Sequence, residues 1–348
     1  MKKTIYLHVG SGKTGTTSIQ KTLFENINAM KKHGVLYLVE SDISHSSIFS
    51  WDGNMKQNIE IYFKKLQKLL YKNDNFHTII VSSENMMGLP VSILEMIKFI
   101  FKSDNIEFKI VAYIRNQINH LPSHYLQKVK DPFQDYKGDM NSFFESYKHI
   151  YGNEHVFIMN NYTSVFGKEN IIVRIYDRSL LVDGDSAKDF IKTLGLDSVI
   201  LKVCNESNIS LIPELSSLIK YIDDSHTKFL DKSTNDFAFR QNTLMPIFLE
   251  ISKMYKAKRP FKEYEYLFNK IEFELKSSYS ENIFTRLNEN IERVKKYILS
   301  GNKYQLINNN LKYKVLNYYE QSNIIFSDMF LTEKEKKVFL KYYNKKIS

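Results

Sequence analysis

A single cysteine, Cys204, stands in the whole chain of 348 residues. It excludes an internal disulfide framework and a zinc site built from cysteines, and it fits a reducing compartment. Long hydrophobic runs are missing as well: no stretch approaches the roughly 20 apolar residues that cross a bilayer. The opening Met1-Lys2-Lys3 is basic, but the apolar stretch behind it, "IYLHV", meets Gly10 and Lys13 before it reaches the length of a secretion signal. The expected location is cytoplasmic. Basic residues interleaved with aromatics on one face are absent too, so no nucleic-acid partner is expected. His120 and His124 stand four apart, as a metal pair would, yet no glutamate follows His120 and no third ligand is evident, so no metal is expected.

What is present suffices for a large core, with 43% apolar residues. Lysine and arginine number 49 against 39 acidic residues, a formal charge of +10. That excess favours an anionic partner such as a nucleotide or an acidic glycan, and it is compatible with contact at a membrane surface. Much of the lysine is nevertheless spread over the chain, as on solvated faces.

Short β-rich runs alternate with helical stretches over the first two hundred residues or so. Strands are predicted at Thr4–Val9, Val35–Val39, His77–Ser83, Glu107–Ile114 and Asn170–Tyr176. Helices are predicted over Thr16–Lys32, Asn54–Tyr71, Val91–Phe101, Asn116–Val129, Met140–Phe166 and Ala187–Leu196. Continuous apolar strands separated by helices imply an α/β fold with a mostly parallel sheet covered on both faces. In such sheets ligands sit at the carboxyl ends of the strands, which gathers Gly10–Thr17, Ser83–Glu84, Arg115 and Tyr176–Arg178. From about Asn205 the strand signals fade into long helical segments. The expected domains are a core over 1–205 and a helical C-terminal extension or lid over 206–348.

The stretch "GSGKTGTTSIQ" after the first strand contains the letters of a phosphate loop. A nucleoside-triphosphate loop, G-x-x-x-x-G-K-[ST], would need a glycine at position 7, where Leu7 stands. Glu84 would further have to replace the aspartate expected to hold Mg²⁺. Counted from Lys13, the stretch is K-T-G-T-T-S at a helix start. Its amides and the helix dipole favour an anion, Thr16, Thr17 and Ser18 offer hydroxyls, and Gly15 lets backbone approach a ligand. An ordinary cluster of N-cap hydroxyls would look similar. Further on, "KIVAYIRNQINHLPSHYLQ" puts Arg115 at a strand end and Ser123 eight positions later in the following helix.

Together these motifs resemble sulfotransferases that use 3′-phosphoadenosine-5′-phosphosulfate (PAPS), whose pattern is K-x-G-T-T after the first strand, then an arginine and a serine eight apart. "SSEN" at Ser82–Asn85 and "EQSNIIF" at Glu320–Phe326 look more like bacterial carbohydrate-modifying members. The Arg-Lys-Gly motif near the C-terminus of cytosolic animal members is absent. The resemblance covers residues 1–205 well and the remainder thinly. It implies a P-loop-like core in which Lys13, Thr14, Gly15, Thr16, Thr17 and Ser18 hold the 5′-phosphosulfate, while Arg115 and Ser123 hold the 3′-phosphate. Tyr176 falls where many members place an aromatic near the adenine, and equally where a core tyrosine would end a strand.

Sulfuryl transfer needs stabilisation of the leaving phosphate, for which Lys13 and the loop amides are suited, and a base for the acceptor proton. The candidates for the base are Glu84 and His45. Such a site needs no metal. The product is PAP, and the expected acceptor is a hydroxyl on a glycan or glycolipid precursor, held by loops such as Glu40–Gly53 and Lys130–Met140. Trp51 is placed either against a sugar or in the core. Two rival readings stay open: a nucleotide-dependent kinase, and a nucleotide- or glycan-binding protein without turnover.

Overall fold

The computed structural model describes residues 2–39, 43–50, 53–102, 105–131, 136, 138–149, 154–199, 202–204, 211–216, 218–219, 222, 239–300 and 306–343. Five strands form one sheet: β1 (Lys3–Gly10), β2 (Val35–Tyr37), β3 (Thr78–Ser82), β4 (Ile106–Ile114) and β5 (Ile171–Ile175). Their order is β2-β3-β1-β4-β5, and every neighbouring pair is parallel. The α/β class and the parallel sheet read from the sequence are therefore observed, as is the helical character of the C-terminal region.

Alternation along β1 sends Ile5, Leu7 and Val9 to one face of the sheet, while Tyr6 and His8 face the other way. The first face is covered by α3 (Met55–Lys72), α4 (Val91–Ile100) and α7 (His155–Phe166), and the second by α1 (Thr16–Glu25), α2 (Ile27–Lys32) and α8 (Ser186–Leu194). One handedness of crossover produces this arrangement. The chain leaves β1 toward β2, but all later connections run the opposite way along the sheet, so their helices fall on the opposite face.

Several boundaries carry a physical reason. The sequence predicts one helix over Thr16–Lys32, but the chain breaks at Asn26, whose amide donates to the Thr22 carbonyl (2.7 Å) and to the Lys202 carbonyl (2.8 Å). The predicted helix over Met140–Phe166 is likewise two, α6 (Met140–Tyr147) and α7. Amphipathic α3 buries Ile59, Tyr62, Phe63, Leu66 and Leu70, and its last carbonyls are capped by the Lys3 ammonium, at 2.9 Å from Leu70 O and 3.1 Å from Asn73 O. Pro122 sits within α5 (Gln117–Lys130) rather than stopping it.

Chain contacts divide the molecule into two compact units. The first comprises Met1–Gln117, Lys148–Ser207 and Lys314–Ser348, and the second Ile118–Tyr147 and Asn208–Tyr313. The chain therefore returns to the unit that holds the sheet through most of α12 (Asn309–Phe330) and α13 (Glu333–Phe339). Within the second unit lie α6, α9 (Met245–Lys256), α10 (Glu265–Ser278) and α11 (Glu281–Ser300); α10 and α11 bury Phe268, Ile271, Leu287 and Ile291, and Lys295 of α11 pairs with Glu272 of α10. None of the described helices is long and apolar enough to cross a membrane.

In the first unit, β5 is locked to α8 by the fully buried carboxylate of Asp189. It accepts two hydrogen bonds from Arg174, at 2.9 and 2.6 Å, one from the Tyr113 hydroxyl at 2.8 Å, and one from the Val182 amide at 3.2 Å. This set satisfies a charge that could not otherwise be buried. It also holds α8 in register beneath the loop that follows β1.

Candidate functional site

β1 sends the chain to one side of the sheet and its neighbour β4 sends it to the other, so a crevice opens beyond their carboxyl ends. Into it run the loop after β1 and Arg115 after β4. The loop starts with the Ser11 amide donating to Tyr113 O at 2.8 Å, and the Thr14 hydroxyl donates back to Ser11 O at 2.5 Å. Lys13 and Gly15 both take positive φ, 64° and 81°. Alternation of this kind curls successive amides into a concave nest suited to an anion. Gly15 then opens α1 without a side-chain cap.

Gly15 has no room for a side chain. A Cβ there would stand 2.8 Å from Ser186 Cβ and 3.3 Å from the Tyr176 ring, while one at Gly12 would meet nothing within 4 Å. Gly15→Ala is therefore expected to cost about 1–3 kcal/mol through the strained left-handed backbone and the clash, against a much smaller change for Gly12→Ala. Urea unfolding of the two variants checks this, and equal loss in both would refute the packing argument.

Arg115 extends from the end of β4 and donates to Lys13 O at 3.4 Å, with its guanidinium 5.5 Å from the centre of the Tyr176 ring. Burial is the largest influence on this group and lowers its pKa from the usual arginine value, with Tyr176, Tyr342 and Asp177 acting in the other direction. Among the described residues no carboxylate stands within ion-pair distance of Arg115; Asp177 pairs instead with Lys341 at 2.7 Å. The loop carrying Arg115 is held by the returning C-terminal segment. The Asn116 amide donates to Phe339 O at 2.9 Å, and Gln117 and Asn323 exchange amide hydrogen bonds of 3.1 and 2.8 Å. The second N–H of Asn323 reaches the Tyr343 hydroxyl at 2.8 Å. The imidazole of His155 lies 3.2 Å from Arg115 O, as a donor would.

Glu84 opens a short turn of 3-10 helix, Glu84–Gly88, just after β3. It abuts the loop after β1: a Cβ on Gly10 would stand 3.1 Å from both Glu84 Cα and Glu84 Cβ. Its carboxylate accepts from the Gln20 amide at 3.3 Å.

His45, the other candidate base, is committed to the backbone. The Ser82 amide donates to its Nδ1 at 3.2 Å and its Nε2 donates to Leu38 O at 2.9 Å, with 1% of the residue exposed. Burial pushes its pKa down to about 4, and that of fully buried His8 to about 3. Neither nitrogen of His45 is left for an acceptor. Both histidines ionise near 6.5 in an unfolded chain, so at acid pH the unfolded state binds more protons. Their contribution to stability is fully present above about pH 6.5 and is lost as pH falls toward the folded values. Stability from urea unfolding is expected to drop by on the order of 3 kcal/mol per histidine between pH ~6.5 and ~4. His8→Leu should flatten part of that slope, and a wild-type curve without slope would contradict the assignment.

The hydroxyl cluster of α1 divides into different roles. Ser18, Thr22 and Asn26 fall on one stripe and grip the backbone of Lys202–Cys204: Ser18 Oγ donates to Cys204 O (2.8 Å), Cys204 N to Thr22 Oγ1 (3.0 Å), and Asn26 Nδ2 to Lys202 O. The Ser18 proton is thus used within the chain, as is that of Thr14. Thr16 is buried beside Gly15, and Thr17 and Lys13 are partly exposed. The structure brings Lys13, Gly15, Thr16, Thr17, Arg115, Tyr176 and Glu84 to the strand ends of one unit. Ser123 lies on α5 in the part that belongs to the second unit and is not among them. His120 and His124 pack as rings 5.7 Å apart, with His124 edge-on to Phe143. Trp51 and parts of the Glu40–Gly53 and Lys130–Met140 loops lie outside the described residues.

No family model matches the chain. It is similar to an uncharacterized protein of Archaeoglobus fulgidus, 38% identical over 141 residues, which are 40% of this chain and 35% of that protein. The match thus spans about a third of the relative's length.

Proposed function

We propose that this protein transfers a sulfuryl group from PAPS to an acceptor hydroxyl, with a glycan or glycolipid precursor as the acceptor class suggested by the sequence resemblance. The observation that carries the reading is the Arg115 guanidinium, partly buried beside the loop after β1, flanked by the Tyr176 ring and with no carboxylate within ion-pair distance among the described residues. A desolvated cation in that state calls for an anion. The loop offers a place for a second anion through its amide nest and the helix terminus at Gly15. Two anionic subsites flanking an aromatic ring match a nucleotide phosphorylated at both ends, which supports the P-loop-like assignment of the core.

In this reading the sulfur–oxygen bond to the 5′-phosphate breaks as a bond from the acceptor oxygen to sulfur forms. The electron pair of the broken bond stays on the phosphate, where Lys13 and the loop amides meet the growing charge. The acceptor proton passes to the Glu84 carboxylate, the candidate base whose oxygens are not consumed by the backbone. Arg115 holds the 3′-phosphate.

Incubation with sulfur-labelled PAPS and a panel of glycans tests the reading. Label on a glycan hydroxyl, dependent on the protein, is the expected result. No labelled product together with Mg²⁺-dependent ATP turnover would replace it with the kinase reading. Tight PAP binding without transfer to any acceptor hydroxyl would favour a binding protein.

A further inference from the structure

We propose that Gln20 is the positioning residue of Glu84, coupling the orientation of that carboxylate to the helix that begins at the phosphate-type loop; its purpose rests on the sulfotransferase reading, with Glu84 as base. Gln20 is the last residue of "GSGKTGTTSIQ" and lies on α1, one helical turn beyond Thr16 and on the same face. Its side chain is 4% exposed. The Nε2 group donates one hydrogen to Glu84 Oε2 and the other to Ser82 Oγ, each at 3.3 Å. An ionised carboxylate only accepts, so the amide must turn its nitrogen toward Glu84. Ser82 is in turn 2.7 Å from His8 Nδ1, and His8 is fixed edge-on to Tyr113 and against Phe190.

The result is a hydrogen-bonded line from the sheet core to the crevice: His8, Ser82, Gln20, Glu84. Each member but the last is buried, and Glu84, the last, is partly exposed. A carboxylate at the start of a single 3-10 turn would otherwise sample several rotamers. Gln20 selects one of them and ties it to α1, the same helix whose N-terminus faces the loop. Alignment of base and donor is then a property of one rigid helix rather than of two loops.

The test uses the full chain at neutral pH, with nitrogen-labelled glutamine and carbon-labelled glutamate side chains followed by NMR. In Glu84→Gln the Gln20 amide resonance should shift, and its exchange with solvent should quicken by about tenfold as a charge-assisted bond becomes a neutral one. In Gln20→Met the Glu84 carboxyl carbon should move to the position of an exposed glutamate, with PAP affinity within about twofold of wild type. An unchanged Gln20 amide in folded Glu84→Gln would overturn the proposal. Should Gln20→Met fail to fold, the Glu84→Gln result decides alone, because Glu84 is partly exposed and the change is isosteric. Coupled resonances in a wild-type protein that does not bind PAP would uphold the Gln20–Glu84 link and count against the sulfotransferase reading.

Discussion

Arg115→Ala is expected to raise the dissociation constant for PAP by about thirtyfold, while leaving the affinity for AMP within about threefold. The arithmetic follows from the loss of charge-assisted hydrogen bonds to a phosphate, on the order of 2 kcal/mol. The selectivity follows from geometry: Arg115 leaves β4, whereas the 5′-side anion is assigned to the loop after β1. Removing the side chain also removes its bond to Lys13 O, so the variant's unfolding midpoint should be recorded alongside. If PAP and AMP weaken equally, Arg115 supports the loop rather than reading a second phosphate. Unchanged PAP affinity would remove it from the site.

Glu84→Gln is expected to lower kcat for sulfuryl transfer by about 10²–10⁴ with PAP affinity retained. The amide keeps the shape of the side chain and a carbonyl oxygen for the Gln20 donor, so the loop at Gly10 is undisturbed. What it loses is the capacity to take a proton. A fall in affinity instead of turnover would mean that Glu84 holds the loop in place. Turnover at the wild-type rate would leave the site without its base, since both nitrogens of His45 are bonded to backbone.

The strands were the most legible part of this chain, because β-branched runs such as "TIIVS" and "KIVAYI" admit little else when glycines and helical stretches bound them. Observed boundaries of all five lie within two residues of those expected. The places where long helices break were not legible. Asn26 ends α1 by bonding a carbonyl 176 positions away, a partner that no local pattern announces. The same holds for the return of the chain at Lys314: Asn323 and Tyr343 are ordinary polar residues until folding sets them against Gln117.

At the site, Lys13, Gly15, Arg115, Tyr176 and Glu84 could be read from strand-end topology. Roles within the hydroxyl cluster could not, because Ser18 and Thr17 look alike in sequence. Only the strap at Lys202–Cys204 shows that the Ser18 hydroxyl is spent on backbone. Its signal was the i, i+4, i+8 spacing of Ser18, Thr22 and Asn26, a polar stripe along one helix. His45 is a related case. A histidine in a polar loop suggests proton transfer, but burial keeps this one neutral and backbone groups occupy it on both sides. Gln20, Ser82 and His8 carried a faint signal: polar residues at inward positions on a strand or on the buried face of a helix.

Calorimetric titration with PAP, repeated with AMP and with ATP plus Mg²⁺, tests the central claim most directly. PAP is expected to bind at least about tenfold more tightly than AMP, because a 3′-phosphate would meet Arg115. Preference for Mg-ATP, or equal affinity for PAP and AMP, would contradict it.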